Sequence, residues 1–454
     1  MIDKIKNIIT NNKNLVANIF ATGGINVISI IIALFATPAY MRYFDDDAIL
    51  GLWFTLLSIL EAMSVMDFGL GNGIRNRLTE AIARKESTKG KKIVSSGYCI
   101  IIVIIIVIFI LGNIILTFIP WKNALNINSN NISPKEILLC IRLIYFSIML
   151  QIVLKLINSI LYALQKAAIA TFLPVCTNML MLIFVLIGGN GNSVDKLIYL
   201  SIWYCVVSNL PYFIVTCWLF WGRYKEYRPS IRYADKEMAV STFKLGLVFF
   251  YLTLMSMMTH NTNELIISAL FKSSYVVDYQ IYNKVYILIP TAMNVIMIPL
   301  WSAATKELAK KNYFWLKGLY NFLCLVSVGA FFMACMIIPF MQPIINVWLG
   351  ENAININPVL CIPFILYVTI NAFNGANATV ANGCGWLKVQ MIMAPVSAIL
   401  NIPFSILLKY VLGDWTAIVL ANVLSLLPIT VAQYIYIRKK LNKLCEVQKY
   451  EKEK

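Results

Sequence analysis

Residues 100–110 read Ile-Ile-Ile-Val-Ile-Ile-Ile-Val-Ile-Phe-Ile, at the centre of an apolar run over 93–119 that no charge interrupts. A bilayer core of about 30 Å is crossed by about 20 apolar residues of helix. In lipid a helix satisfies its own backbone, so this run predicts a transmembrane helix. Eleven more runs share its character: 15–41, 49–71, 137–163, 167–188, 197–221, 245–271, 279–303, 318–342, 358–382, 389–411 and 416–437. The composition agrees. Of 454 residues, 60% are hydrophobic and 13% charged, against about 25% charged in soluble domains. A water-soluble enzyme, a disordered chain and a secreted disulfide scaffold are excluded. The ten cysteines are scattered singly, with no CxxC pair and no His/Cys cluster, and read as small packing residues. No metal site and no cofactor motif is read.

The basic residues orient these spans. With a cytoplasmic N-terminus, 29 of the 38 Lys and Arg fall in inside segments and six outside. That asymmetry is a strong positive-inside signal. The formal net charge of +17 then resolves into +19 inside, −2 outside and zero within the spans. The excess sets topology and meets anionic lipid. It is not a nucleic-acid footprint. The expected fold is an all-α integral membrane protein of about twelve transmembrane helices with both termini cytoplasmic.

The chain also repeats. Lys306-Glu-Leu-Ala-Lys-Lys311 follows the eighth span as Glu80-Ala-Ile-Ala-Arg-Lys85 follows the second, at an offset of 226 residues. This predicts two six-helix bundles, 1–221 and 245–437, joined by a basic cytoplasmic linker at 222–244 and followed by a basic tail at 438–454. Internal symmetry of this kind marks transporters. No extramembrane loop is long enough to house a separate soluble catalytic site, which argues against a membrane enzyme such as a polysaccharide polymerase or ligase. A non-transporting scaffold leaves six ionisable groups in the spans unexplained.

The most distinctive stretch runs from Gly51-Leu-Trp53 through Asp67-Phe-Gly-Leu-Gly-Asn-Gly-Ile-Arg-Asn-Arg-Leu78 to Glu80-Ala81. Gly69, Gly71 and Gly73 permit close backbone approach or positive φ. Asp67, Asn72, Arg75 and Asn76, with Arg77, read either as a helix stop with snorkelling arginines or as a gate at the cytoplasmic mouth. This pattern resembles the O-antigen and polysaccharide repeat-unit flippases of the multidrug/oligosaccharidyl-lipid/polysaccharide exporter superfamily. The resemblance implies a MATE-like, pseudo-twofold pair of bundles around a central cavity in the bacterial inner membrane. It also implies export of an oligosaccharide carried on undecaprenyl pyrophosphate, a role in lipopolysaccharide biosynthesis, and a polysaccharide polymerase and chain-length regulator as partners. The alternative within the superfamily is a cation-coupled multidrug antiporter. A pump for cationic drugs wants buried carboxylates, often in the first helix, and residues 15–41 contain none.

Charges within spans are costly and face protein or water. Arg142, Lys155 and Lys284 read either as snorkelling cations or as the lining of a cavity that holds an anionic substrate. Glu61, Asp67 and Glu264 balance them. His260 is the sole histidine, and Glu264 lies four residues on, one helical turn away on the same face. Glu61, His260 and Glu264 are therefore the ion-coupling candidates, with a packing role as the plain alternative for His260. The tenth span carries Asn371, Asn374 and Asn377 at three-residue spacing, with Asn382 beyond. This polar stripe suits sugar hydroxyls or interhelical hydrogen bonds. Pro290, Pro299, Pro363, Pro395 and Pro403 fall within spans and should kink or break them. Trp121, Trp348 and Trp415 read as anchors at the outer interface.

Overall fold

A computed structural model describes residues 13–44, 46–64, 68–124, 132–188, 191–260, 262–271, 275–349 and 354–453, with the side chains of 13–16, 33–34, 37, 47–48, 58–64, 123–124, 349 and 451–453 left out. Their helices, in chain order, are α1 (Lys13–Tyr43), α2 (Asp47–Ser64), α3 (Leu70–Ala83), α4 (Ser87–Phe118), α5 (Trp121–Ala124), α6 (Pro134–Ala163), α7 (Ala167–Ile187), α8 (Ser193–Val207) and α9 (Leu210–Trp221). There follow α10 (Lys236–His260), α11 (Asn263–Leu270), α12 (Tyr275–Tyr286), α13 (Leu288–Ala309), α14 (Tyr313–Leu349), α15 (Cys361–Cys384), α16 (Lys388–Leu412) and α17 (Thr416–Glu453). The protein is all-α and multi-pass. Among the described residues, ten helices are long and apolar enough to cross a membrane. Each of the twelve apolar runs falls on one helix or on two in succession. In α4 only 11% of the most apolar window is buried inside the protein. The remainder is an apolar surface that only lipid can cover.

Two compact units form, Ala17–Phe250 and Tyr251–Lys454, with the second also taking in the chain's first residues. Each carries its own core. In the first, Trp53 of the Gly-Leu-Trp stretch is fully buried, with Tyr40 and Tyr204 rings 6.0 and 6.2 Å from it. In the second, Phe364 stacks on Tyr282 and Tyr286 at 5.8 and 5.6 Å. Trp415 packs 6.0 Å from Phe364 and is 4% exposed. The expectation for Trp415 is corrected here. It is a core residue of an aromatic cluster rather than an interface anchor.

The repeat is visible in the turns. Helices α3, α6, α13 and α15 all end in the same way. Lys85, Gln165, Lys311 and Gly385 take positive φ of 58–68°. Each donates to the carbonyl three residues back, and the following residue donates to the one five back: Glu86 to Ala81, Lys166 to Leu161, Asn312 to Glu307 and Trp386 to Ala381, at 2.7–2.9 Å. This paired arrangement satisfies the otherwise orphaned last carbonyls of a helix. All four turns lie on the face that the basic residues assign to the cytoplasm. Two fall in each unit, and Lys85 and Lys311 sit at the offset of 226 read from the sequence.

Proline sets two of the helix breaks. A proline lacks the N–H that would bond to the carbonyl four residues back, and its ring clashes there. α8 ends at Val207, four residues before Pro211, and α12 ends at Tyr286, four before Pro290. The apolar runs at 197–221 and 279–303 are thus each split in two.

Candidate functional site

The glycine-rich stretch is a helix crossing. After α2 the chain resumes at Phe68 and Gly69, both with positive φ, and enters α3. A Cβ on Gly69 would meet Gly246 O at 2.1 Å, and one on Gly73 would meet Thr242 O at 2.8 Å. Reciprocally, a Cβ on Gly246 would lie 2.9 Å from Leu70 Cα. So α3 and the first half of α10 touch backbone to backbone, which only glycine permits. Arg77 Nη2 donates to Ser241 O at 3.2 Å across the same crossing. Arg75 is buried, its guanidinium 4.7 Å from the Tyr162 ring centre. Burial pulls its pKa down to about 9, and it stays charged at neutral pH. Asn76 is buried as well. Of the described residues read as snorkelling or as a gate, Arg75 and Asn76 thus belong to the interior, while Asn72 and Arg77 are partly exposed. Asp67 lies outside the described residues.

The three cations expected to line a cavity fall on two helices, one in each unit. Arg142 is exposed and donates from Nη2 to Thr117 Oγ1 at 2.9 Å. Lys155 is half-buried, 13 residues further along α6, or about 20 Å at 1.5 Å per residue. Lys284 belongs to the other unit, exposed, with its ammonium 5.3 Å from the Trp348 ring centre.

Span seven holds the richest polar chemistry. It is interrupted: α10 ends at His260 and α11 begins at Asn263. His260 and Glu264 therefore do not share one face of a continuous helix, and their expected pairing is corrected. His260 Nδ1 instead pairs with Tyr367 Oη at 2.7 Å. Gln280 donates to the Glu264 carboxylate, which is exposed. Beside the break three asparagines are buried to 2% or less: Asn263, Asn401 and Asn422. Asn422 Nδ2 donates to Asn263 Oδ1 at 2.7 Å, and Asn263 Nδ2 donates to Tyr279 Oη at 3.0 Å. Asn401 Nδ2 lies 3.4 Å from both Asn422 Oδ1 and Thr259 O. Asn401 Oδ1 is buried with no hydrogen-bond partner. A lone buried acceptor costs about 1–3 kcal/mol unless something meets it. Amide oxygens and helix-end carbonyls are hard-oxygen groups of the kind that hold a small cation. The side chain of Glu61 lies outside the described residues.

Sequence reading missed Asn401 and Asn422. Each shares its apolar run with a second amide, Gln390 and Gln433 respectively, so the sequence alone does not single either out. The stripe on α15 divides. Asn371 donates to its own helix at Tyr367 O (2.9 Å), and Asn374 is half-buried. Asn377 is buried, accepting from Tyr320 Oη at 2.6 Å and donating to Thr430 O at 2.9 Å. Asn377 is thus a tie between helices.

No protein-family model matches the chain, and no curated protein matches it in sequence. Solved structures do match. A MATE transporter in the straight conformation superposes with a TM-score of 0.75 at 13% identity, over 96% of this chain and 97% of that one. The Vibrio cholerae MATE transporter VcmN in the bent form gives 0.73 at 14% identity, over 97% and 99%. A transporter of the MOP superfamily from Pyrococcus furiosus, for which a reversed binding-pocket polarity suggests a different function, gives 0.71 at 14%, over 95% and 96%. These likenesses overturn the flippase reading. The structures that the chain resembles are MATE transporters and a MOP-superfamily transporter, so the lipid-linked oligosaccharide, the lipopolysaccharide role, and the polymerase and chain-length regulator as partners are withdrawn. The fold of this chain is the MATE transporter fold.

Proposed function

We propose that the protein is a cation-coupled antiporter that exports small organic molecules across a bacterial cytoplasmic membrane by alternating access. The observation that carries this is the interrupted seventh span with its buried amide network. Broken helices at mid-membrane expose carbonyls that coordinate coupling ions. Here the break is flanked by Asn263 and Glu264, and the unpartnered Oδ1 of Asn401 supplies a further acceptor. The MATE fold over nearly the whole chain supports the same reading. The first helix carries no carboxylate between 15 and 41, so coupling rests on the second unit, with Glu264 as its charged ligand. The His260–Tyr367 pair ties the break to α15, so that occupancy of the site is felt by a second helix.

The test is transport in proteoliposomes. Efflux of ethidium should follow an imposed sodium or proton gradient and stop when the gradient is collapsed. Glu264→Gln should abolish the gradient dependence while the protein remains folded. Gradient-independent efflux, or wild-type coupling in Glu264→Gln, refutes the proposal.

A further inference from the structure

The second unit holds a cavity of about 550 Å³ where α14, α15 and α17 meet. It is separate from the amide network of span seven, and the proposed antiport makes no use of it. Its lining changes character in one direction. On α14, which runs outward from the cytoplasm, Asn321 comes first and Leu325 and Val328 lie deeper. On α15 and α17, which run inward, Phe373 and Val431 are the deeper residues and Asn377 and Arg438 the inner ones. Three helices of alternating direction thus agree: polar at the cytoplasmic end and apolar toward the membrane middle, where the Thr430 hydroxyl is spent on Leu426 O of its own helix at 2.9 Å. From Val431 to Arg438 the gradient covers about 10 Å at 1.5 Å per residue.

Arg438 is the first residue past the apolar run of span twelve, at headgroup depth. Its guanidinium carbon sits 5.2 and 5.7 Å from the ring centres of Tyr434 and Tyr320. The rings brace it, yet its Nε is buried without a hydrogen-bond partner, and so is Oδ1 of Asn321. One lone charged donor and one lone acceptor lie at the same end of an otherwise apolar groove. No described residue satisfies either.

We infer that this groove is a binding site for an anionic phospholipid of the cytoplasmic leaflet, of the phosphatidylglycerol type. The phosphodiester pairs with the Arg438 guanidinium at the inner end of the groove, and an acyl chain lies along Leu325, Val328, Phe373 and Val431. The volume is in the range of ligand pockets and far exceeds a phosphate ion. A free anion also leaves the apolar half unexplained, whereas a lipid uses both ends. Basic pockets between helices on the cytoplasmic side are the expected seats of anionic headgroups.

The experiment is native mass spectrometry of the full-length protein in detergent, titrated separately with phosphatidylglycerol, phosphatidylethanolamine and inorganic phosphate, with melting temperature followed in parallel. Phosphatidylglycerol should bind as a retained adduct and raise the melting temperature. Phosphatidylethanolamine should bind more weakly, and phosphate should do neither. Arg438→Gln removes a charge-assisted hydrogen bond and should weaken the adduct about tenfold. Leu325→Trp fills the apolar half, keeps the charge, and should weaken it too. Equal binding by the wild type and both variants overturns the inference. So does equal binding of the two lipids, or stabilisation by phosphate alone.

Discussion

Replacing Gly246 with alanine tests the crossing on which the first unit is built. The new Cβ would stand 2.9 Å from Leu70 Cα, 3.0 Å from Leu70 N and 3.2 Å from Gly69 C. Carbon atoms in contact prefer about 3.5–4.0 Å. All three neighbours are backbone, so no side chain can swing aside, and α3 and α10 must part by about 0.5–1 Å. Overpacking of this kind costs about 1–3 kcal/mol. Glycine to alanine inside a helix also returns about 0.5–1 kcal/mol of propensity, which would blur a single measurement. Gly329→Ala cancels that term. Gly329 lies inside α14, and a Cβ there has nothing within 4 Å. The difference between the two variants is then the steric cost alone. At roughly 2–4 °C per kcal/mol for units of this size, Gly246→Ala should melt roughly 2–12 °C below Gly329→Ala in detergent. A second arm uses Arg77, whose bond to Ser241 O spans the same crossing. Once the helices part that bond is already lost, so Arg77→Ala and Gly246→Ala should be less than additive, by at least about 0.5 kcal/mol. Coincident melting of the two alanine variants, or strict additivity in the double mutant, refutes the crossing.

Three more outcomes are expected. Trp415→Ala empties the aromatic cluster on Phe364, Tyr279 and Tyr282 and should cost about 3–5 kcal/mol, read as a drop in melting temperature; an anchor at the interface would lose far less. Asp235 accepts from the Met238 N–H at 2.9 Å at the start of α10 and pairs with Lys92 at 3.6 Å, and these hold its pKa below the ordinary carboxylate value. Its stabilising contribution is therefore complete above the unfolded-state pKa of about 3.9 and fades as pH falls through the lower folded value, so Asp235→Asn should flatten the acid limb of a melting-temperature-versus-pH curve and leave neutral pH governed by loss of the cap. Asn401→Asp turns the lone acceptor of the amide network into a carboxylate oxygen and should steepen the rise of melting temperature with sodium concentration, whereas Asn401→Leu should remove that rise; the same sodium response in both variants refutes a cation at this break.

Much of the fold is legible in the residues because membrane constraints are one-dimensional. Apolar length gives the spans, and lysine and arginine counts give the sides. Pro211 and Pro290 encode their breaks four residues ahead, a rule that needs only the missing N–H. The turns are less legible. Of the four left-handed residues that close the cytoplasmic hairpins, only Gly385 announces itself, while Lys85, Gln165 and Lys311 adopt the same φ without the residue that signals it. Here the repeated hairpin geometry overrides local preference, and the repeat is better evidence for the turn than the residue is. The amide network is illegible for a different reason. Asn263, Asn401 and Asn422 are distant in sequence and meet only in three dimensions, and no spacing rule connects one helix to another.

The same distinction explains the error about substrate. The stretch around Asp67 to Leu78 carries the resemblance to lipid-linked oligosaccharide flippases, and the structure shows what its glycines do. Gly69 and Gly73 let α3 lie against Gly246 and Thr242, and Arg77 locks the contact. Those are requirements of a helix crossing, which any transporter of this architecture must meet whatever it carries. Such a motif identifies a way of packing helices. Substrate and coupling depend instead on groups with capacity to spare after packing, a buried acceptor without a partner being the clearest case. In the second unit such atoms, among the described residues, include Asn401 Oδ1 beside the broken seventh span, Arg438 Nε with Asn321 Oδ1 at the groove of α14, α15 and α17, and both amide atoms of Gln433. The first lies where a coupling ion is wanted and the second where the inner leaflet begins. The chemistry of this protein is therefore to be sought in these exceptions to complete hydrogen bonding rather than in its most recognisable sequence.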